Sequence, residues 1–431
     1  MKQRTDELRG KKLLILGGME LHSELVKTAR RLGVETYVTD YLPHDKAPAK
    51  LLADHAWDLD VTDVDAIVTR CSEEKIDGVI NMYYNSCQLP HQVICERLGL
   101  PCFGTKEQYE IFTDKKRFLE TCVQYGLDII PQYREDDFAF DNPEISYPIY
   151  VKPSDSRGSR GQSICRSYAE VAPAIEKARA ESASGGVVIE RFMENAADMQ
   201  LSLIVIDGKV YVEMVADKYN GSVEENFFSD CICGISPSQR HTNLPVEVYR
   251  KIERMLGELG VRNTPIFLQG FLDKDKFRVY DPALRLPASF YEKLLRNKTG
   301  VDVYEAMVAF ALTGSFPDSL RRLESFYNIK EWFGIGLFIY LRPGTITQIT
   351  GMGQLRDRKD MAAVEQRFVK GDRIDGWTYD FRQCFCAFVL VERNTERAET
   401  AIREVYETLQ VLDENGEDMK IAVFDTARLR E

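Results

Sequence analysis

Gln269, Asp281 and Arg285 stand at spacings that could grip a metal–polyphosphate. Gln269-Gly270-Phe271-Leu272 leads into the charged turn Asp273-Lys274-Asp275-Lys276, and Phe277-Arg278-Val279-Tyr280-Asp281 follows. A tight turn between two antiparallel strands sets Gln269 and Asp281 side by side on one face. Side-chain oxygens suit a hard cation such as Mg2+, and the guanidinium of Arg285, just beyond, suits a phosphoryl group.

Further phosphate-binding chemistry precedes this hairpin. Ile149-Tyr150-Val151-Lys152-Pro153 reads as a strand carrying a lysine. The loop after it holds Ser156, Gly158, Ser159 and Gly161 among arginines. Such a loop can wrap backbone N–H groups and cations around a polyphosphate, although the glycines alone would also suit an ordinary hairpin turn. Lys115 falls in the first turn of a helix that Thr113 or Asp114 can cap. Val187-Val188-Ile189-Glu190-Arg191-Phe192-Met193 is a strand running out towards Asp198. Its exit can offer backbone groups and one carboxylate to an adenine edge, and a second carboxylate to ribose hydroxyls. Lys218 follows a further strand and can project towards a transferring phosphate or simply face solvent.

The elements that must position these side chains fall into three segments. Residues 11 to about 105 alternate strand and helix: a buried strand ends at Gly17-Gly18, a helix runs through Leu21, Leu25 and Ala29, and later strands end at Asp40 and Met82. Alternation of this kind predicts a parallel sheet with helices on both faces and binding sites at the strand C-terminal ends. Gly17, Gly18, Tyr84 and Asn85 lie at such ends and are the candidate contacts for an acceptor substrate; Tyr83 and Tyr84 also suit plain packing at an interface. From Tyr109 the pattern becomes α+β, and beyond residue 330 it is rich in short strands with a helix around Thr395–Gln410. The expected division is 1–108, a Rossmann-like domain; 109–315, the nucleotide domain; and 316–431, a β-rich closing domain.

Composition narrows the function classes. The 431 residues carry a formal net charge of −12, which argues against a nucleic-acid partner held by bulk attraction. No run approaches the ~20 apolar residues of a membrane helix. The polar opening Met1–Glu7 does not read as a signal peptide. Ten scattered cysteines fit a reduced, cytoplasmic setting, and the pairs Cys231/Cys233 and Cys384/Cys386 read as buried thiols on strand faces. The five histidines read as structural, with His22 near the glycine turn the one to watch.

In this order, Lys115, Lys152, the Ser/Gly loop, Glu190-x-Phe-Met, Asp198, Gln269, Asp281 and Arg285 resemble the ATP-grasp superfamily. The first segment is similar to the domain preceding it in biotin carboxylase, the carbamoyl-phosphate synthetase large subunit and glycinamide ribonucleotide synthetase. The resemblance implies ATP and Mg2+ as cofactors and a carboxylate–amine (or carboxylate–thiol) ligase working through an acyl phosphate. It gives Lys115 and Lys152 to the phosphates, Glu190 with the backbone of Arg191 and Met193 to adenine, and Asp198 to ribose. Gln269 and Asp281 would face magnesium, and Arg285, with Lys218, would steady the transferring group. A homodimer is plausible on the same analogy. The family pattern there runs Glu, twelve residues, Glu-x-Asn-x-Arg. Here Gln269, Asp281 and Ala283 replace the acidic and amide positions, so a nucleotide-binding pseudoenzyme or regulatory module is a second reading. A dinucleotide-dependent oxidoreductase would rest on Gly17-Gly18 and Asp40 alone, without a G-x-G-x-x-G run.

Overall fold

The computed structural model describes every residue except 1–6, 155–160, 183, 195, 224–225, 239, 241–243, 288–290, 329–332, 379–380 and 431. The first segment forms its sheet from the most apolar runs. Strand β1 (Lys12–Leu16) is buried from Leu13 onward. Helix α1 (Glu20–Arg31) packs on the sheet with Leu21, Leu25, Val26 and Ala29, a helical stripe. With β2 (Glu35–Thr39), β3 (His55–Trp57) and β4 (Gly78–Ile80) the order is β3-β2-β1-β4, all pairs parallel. Helix α2 (Gln88–Leu98) follows β4 and ends at Gly99 in the left-handed region.

Two short helices lead into the second segment. Helix α3 (Lys106–Thr113) is closed by a Thr105–Gln108 capping box. Helix α4 (Lys115–Gln124) is capped by Asp114, whose carboxylate accepts from the Arg117 N–H at 3.0 Å. Strands β5 (Asp128–Ile129) and β6 (Gln132–Tyr133) then divide between two sheets. The smaller has the order β6-β9-β7-β8, with β7 (Ile149–Pro153), β8 (Ser163–Cys165) and β9 (Val187–Arg191). Helix α5 (Val171–Glu181) covers one face of it, against Ile149, Val151 and Ile189.

The larger sheet has ten strands. Its centre is β10 (Ala197–Ile206), β11 (Lys209–Val223), β12 (Asn226–Ser236), β13 (Thr264–Asp273) and β14 (Lys276–Ala283). Helix α6 (Val303–Thr313) is buried on nearly every side and returns to the first segment. Gly78 on β4 makes that approach possible: a Cβ there would meet the Ala311 carbonyl oxygen at 2.4 Å. Strands β15 (Phe333–Leu341), β16 (Met361–Gln366) and β17 (Cys384–Glu392) come from the last hundred residues. They do not make a sheet of their own. β15 pairs with β12, so the order runs β16-β17-β15-β12-β11-β10-β13-β14-β5, and helix α7 (Thr395–Thr408) packs behind. Among the described residues no helix is long and apolar enough to cross a membrane.

Candidate active site

A cavity of about 780 Å³ opens between the two sheets of the second segment. Strand alternation supplies one wall. On β7, Ile149, Val151 and Pro153 are buried, so Tyr150 and Lys152 face the other way and line the cavity. Tyr150 pairs with Glu190 across β7 and β9, which puts Lys152 diagonal to Glu190 on that same face. Their charged ends form an ion pair. Phe192 and Met193, at the exit of β9, complete this wall.

The facing wall is built by the large sheet. Asp198 and Lys218 are direct register partners on β10 and β11. Asp198 accepts from Lys218 Nζ at 3.3 Å, from Asn220 Nδ2 at 3.2 Å and from the Tyr280 hydroxyl at 2.9 Å. Lys218 also donates to the Tyr280 hydroxyl at 2.9 Å. Burial disfavours the Lys218 ammonium, but Asp198 and Tyr280 outweigh it and its pKa is raised. Lys218 is therefore a fixed cation and no general base. Burial pushes the Tyr280 phenol well up, so it stays neutral.

Gln269 and Asp281 are directly paired on β13 and β14, and the next pair is Gly270 with Val279. Tyr280 is the extra residue of a β-bulge, and its hydroxyl reaches Asp198 and Lys218. Gly270 makes the bulge possible, because a Cβ would meet the Phe277 ring at 2.5 Å. Gln269 donates to Gln200 Oε1 at 3.1 Å, leaving its own oxygen as an acceptor. Burial pushes the Asp281 carboxyl up, while Lys115, Arg285, Lys218 and Lys152 pull it down. Four cations from distant parts of the chain thus act on one carboxylate. Lys115 opens α4, whose first turn holds no acidic residue, so its charge opposes the helix dipole. Its pKa is lowered, first by desolvation and then by Lys152. A bound anion would relieve the repulsion between Lys115 and Lys152 and the opposition of Lys115 to the dipole.

Arg285 is not in the cavity wall. It lies past Asp281, donates to Asn85 Oδ1 at 2.6 Å and stacks 4.9 Å over Phe267. Tyr84, beside Asn85, contacts the His22 ring at 5.0 Å. Gly17 has φ +117, and a Cβ there would meet His22 Nε2 at 2.5 Å. The Gly18 N–H donates to Asp40 at 2.8 Å, and Leu42 N–H takes the other carboxylate oxygen at 2.8 Å. Each Asp40 oxygen thus already accepts one backbone N–H, so a ribose hydroxyl would have only its second lone pairs. Tyr83 packs inward and donates to the Tyr304 hydroxyl at 3.1 Å.

Of the loop residues, Ser156, Gly158 and Ser159 lie outside the described residues. Gly161 is described, with φ +74. Arg191 turns to Asp273 at 3.4 Å, so only its backbone remains for a ligand. Residues not singled out from the sequence also line the site. Tyr280 escaped because strand alternation puts it opposite Asp281, and only the bulge brings it round. Gln200 carries no signal beyond its place on an apolar strand. Arg428, from the chain's last turn, enters the cavity wall and lies 5.0 Å over Tyr219. No local pattern marks it.

The hairpin offers a metal one half-buried carboxylate and one neutral amide oxygen. That is too little for a protein-only cage. It does fit Mg2+, which keeps waters and is commonly held by one or two carboxylates plus phosphate oxygens.

Comparisons with known proteins agree with this architecture. Residues 113–226 match the family described as carbamoyl-phosphate synthase L chain, ATP binding domain. The formate-dependent phosphoribosylglycinamide formyltransferase of Haloquadratum walsbyi is 27% identical over 267 residues, 60% of this chain and 64% of that protein. Its Bacillus subtilis counterpart is 26% identical over 216 residues, 48% and 55% respectively. The chain therefore matches less than two thirds of the length of either relative. The L-amino acid ligase of Bacillus licheniformis superposes with a TM-score of 0.74 at 20% identity, covering 94% of this chain and 100% of that one. Biotin carboxylase from Campylobacter jejuni gives 0.73 at 15% identity, covering 99% and 96%. These structural likenesses establish fold.

Proposed function

We propose that this chain, whose residues 113–226 match the carbamoyl-phosphate synthase ATP-binding domain family and whose fold is shared with biotin carboxylase, is an ATP-dependent carboxylate–amine ligase working through an acyl phosphate. The observation that supports this most is the cavity between two sheets that Lys115, Lys152 and Lys218 line together, each from a different element. Cations fixed beforehand stabilise the charge that builds on transferring oxygens without reorganising during reaction.

Lys115 and Lys152 are assigned to the phosphates. Lys152 is then shared between Glu190 and the nucleotide. Glu190 and the backbone of Arg191 and Met193 face the adenine edge. Asp198 holds two donors on Oδ2 and one on Oδ1, so a lone pair on Oδ1 remains for a ribose hydroxyl. Asp281, with the Gln269 oxygen, would hold Mg2+, which when bound neutralises phosphate charge. A substrate carboxylate oxygen attacks the γ-phosphorus and ADP leaves. The amine nitrogen then attacks the acyl carbon, loses a proton and expels phosphate. Arg285 and Lys218 hold the transferring oxygens as permanent cations.

The carboxylate is assigned to the rim formed by Gly17, Gly18, Tyr84 and Asn85. By analogy with the relatives' names, a small acid such as formate or an amino acid is the substrate class. A cytoplasmic homodimer, like the biotin carboxylase domain dimer of Hydrogenobacter thermophilus 2-oxoglutarate carboxylase, accompanies this reading. The Gln200–Gln269 amide pair, where a carboxylate is the family norm, favours one alternative: nucleotide binding without turnover.

Thermal unfolding with and without MgATP, followed by ADP release in a pool of carboxylates and amines, tests both. Stabilisation with substrate-dependent ADP release is expected. Stabilisation without release gives the second reading, and no response to MgATP removes both.

A further inference from the structure

We propose that His91, Cys95 and Cys102 form a second site, for a thiophilic divalent cation of the zinc type, apart from the nucleotide cavity. His91 and Cys95 are four residues apart on α2 and so share one face. Cys102 returns to them from the connection between α2 and α3. One ligand atom from each lies within 4.8 Å of the others, and among the described residues no other group of three His, Cys, Asp or Glu side chains does this. Cys102 Sγ is 3.8 Å from His91 Nδ1, and Cys95 Sγ is 3.4 Å from His91 Nε2. Tetrahedral zinc, with Zn–S about 2.3 Å and Zn–N about 2.0–2.1 Å, sets its donors about 3.5–3.8 Å apart. Cys102 Sγ and His91 Nδ1 already stand at that spacing, and Cys95 Sγ, now on the Nε2 side, turns within the 4.8 Å group to reach the same ion.

The surroundings match such a site. His91 Nε2 lies 3.0 Å from the Val79 carbonyl oxygen. With the ring proton there, the Nδ1 lone pair is turned to Cys102. A ligating histidine commonly spends its second nitrogen in this way, which fixes the tautomer and the ring. His91 and Cys95 have no exposed surface, whereas Cys102 is partly exposed and gives an entry path.

Two thiolates and a neutral imidazole cancel a divalent charge, so the ion can be buried with no net charge left over. Binding displaces one proton from each thiol and involves no electron transfer. Thiolate and imidazole donors prefer zinc to magnesium, so the nucleotide's metal does not compete. The site ties α2 to the connection that leads to α3 and Lys115, and its three protein ligands leave the fourth tetrahedral position to a water that enters past Cys102.

The test is cobalt titration of the full-length, reduced, metal-stripped protein. Thiolate-to-cobalt charge transfer in the near ultraviolet is expected, saturating at roughly one ion per chain and bleached by zinc. The band is lost in Cys95→Ser and Cys102→Ser and kept in Cys165→Ser. Zinc raises the melting temperature of the parent protein and leaves that of Cys102→Ser unchanged. Absence of the band in the parent protein overturns the proposal whether or not the variants fold, and so does a band that survives both substitutions.

Discussion

Arg285 donates from Nε to the side-chain oxygen of Asn85 at 2.6 Å, across 200 residues of sequence. Asn85 follows β4 in the parallel sheet, and Arg285 follows the strand that carries Asp281. This bond therefore joins the rim of the first sheet to the end of the hairpin that carries Gln269 and Asp281. Burial lowers the Arg285 pKa to about 10, with Asp281 and Tyr83 opposing that shift, so the guanidinium is still charged at neutral pH. A cation held in this place stands between the phosphate cavity and the rim assigned to the carboxylate.

Asn85→Ala should separate positioning from nucleotide binding. Without its acceptor the guanidinium loses one of its two hydrogen bonds, keeping the one to the Leu286 carbonyl at 2.9 Å and its stacking over Phe267. Misplacement of about 1 Å at a reacting centre costs roughly 100-fold. Substrate-dependent ADP release should fall by about that factor in kcat/KM for the carboxylate, while MgATP stabilises the variant as it does the parent. Equal loss of both would make the bond purely architectural.

Lys152→Ala should abolish stabilisation by MgATP, a term of about 2.7 kcal/mol at a hundred times the Kd. It should also weaken the free protein by about 2–3 kcal/mol, because Glu190 is left buried without its counter-charge. Adding Glu190→Gln should restore the second loss and not the first. A thermal shift series over the three proteins distinguishes the two terms, and a nucleotide response surviving in Lys152→Ala would move the phosphates elsewhere.

What the sequence made legible was whatever rests on local periodicity. The alternation of β7 exposed Lys152 as surely as it buried Val151, and the charged turn placed Gln269 near Asp281, although a two-residue turn in regular register would set Gln269 opposite Tyr280 and the bulge supplies the last step to Asp281. The bulge at Tyr280 was not legible, since it depends on the Phe277 ring occupying the space above Gly270. The joining of β15 to β12 was equally hidden, because strand pairing between remote segments leaves no periodic mark in either. Arg428 and the His91–Cys95–Cys102 group belong to that class: their residues meet only through tertiary packing.

Gln269→Glu puts a second carboxylate beside Asp281, within the field of the same cations. The Gln200 amide can turn to donate to it, so the exchange leaves no two acceptors facing each other. Because charge count sets the affinity of hard-cation sites, the Mg2+ concentration for half-maximal ATP-dependent activity should fall by about 10-fold. A magnesium titration at fixed ATP reads this directly. An unchanged midpoint would mean that the hairpin does not face the metal.

His22 should set part of the acid limit of stability. Its ring has no exposed surface, contacts Tyr83 and Tyr84 at 5.5 and 5.0 Å, and bonds through Nδ1 to the Met19 carbonyl at 3.3 Å. Burial lowers its pKa from 6.5 to about 4. The unfolded chain takes up a proton as pH falls through 6.5, and the folded chain does not until about 4. The unfolded state binds more protons in that window, so stability drops as pH falls through it and the full contribution is present only above 6.5. The gap corresponds to about 3 kcal/mol by pH 4. His22→Gln keeps nearly the same volume, and Nε2 has no hydrogen bond to lose. Urea midpoints measured from neutral pH downward should therefore fall less steeply in the variant than in the parent, and parallel curves would assign the acid sensitivity to other groups.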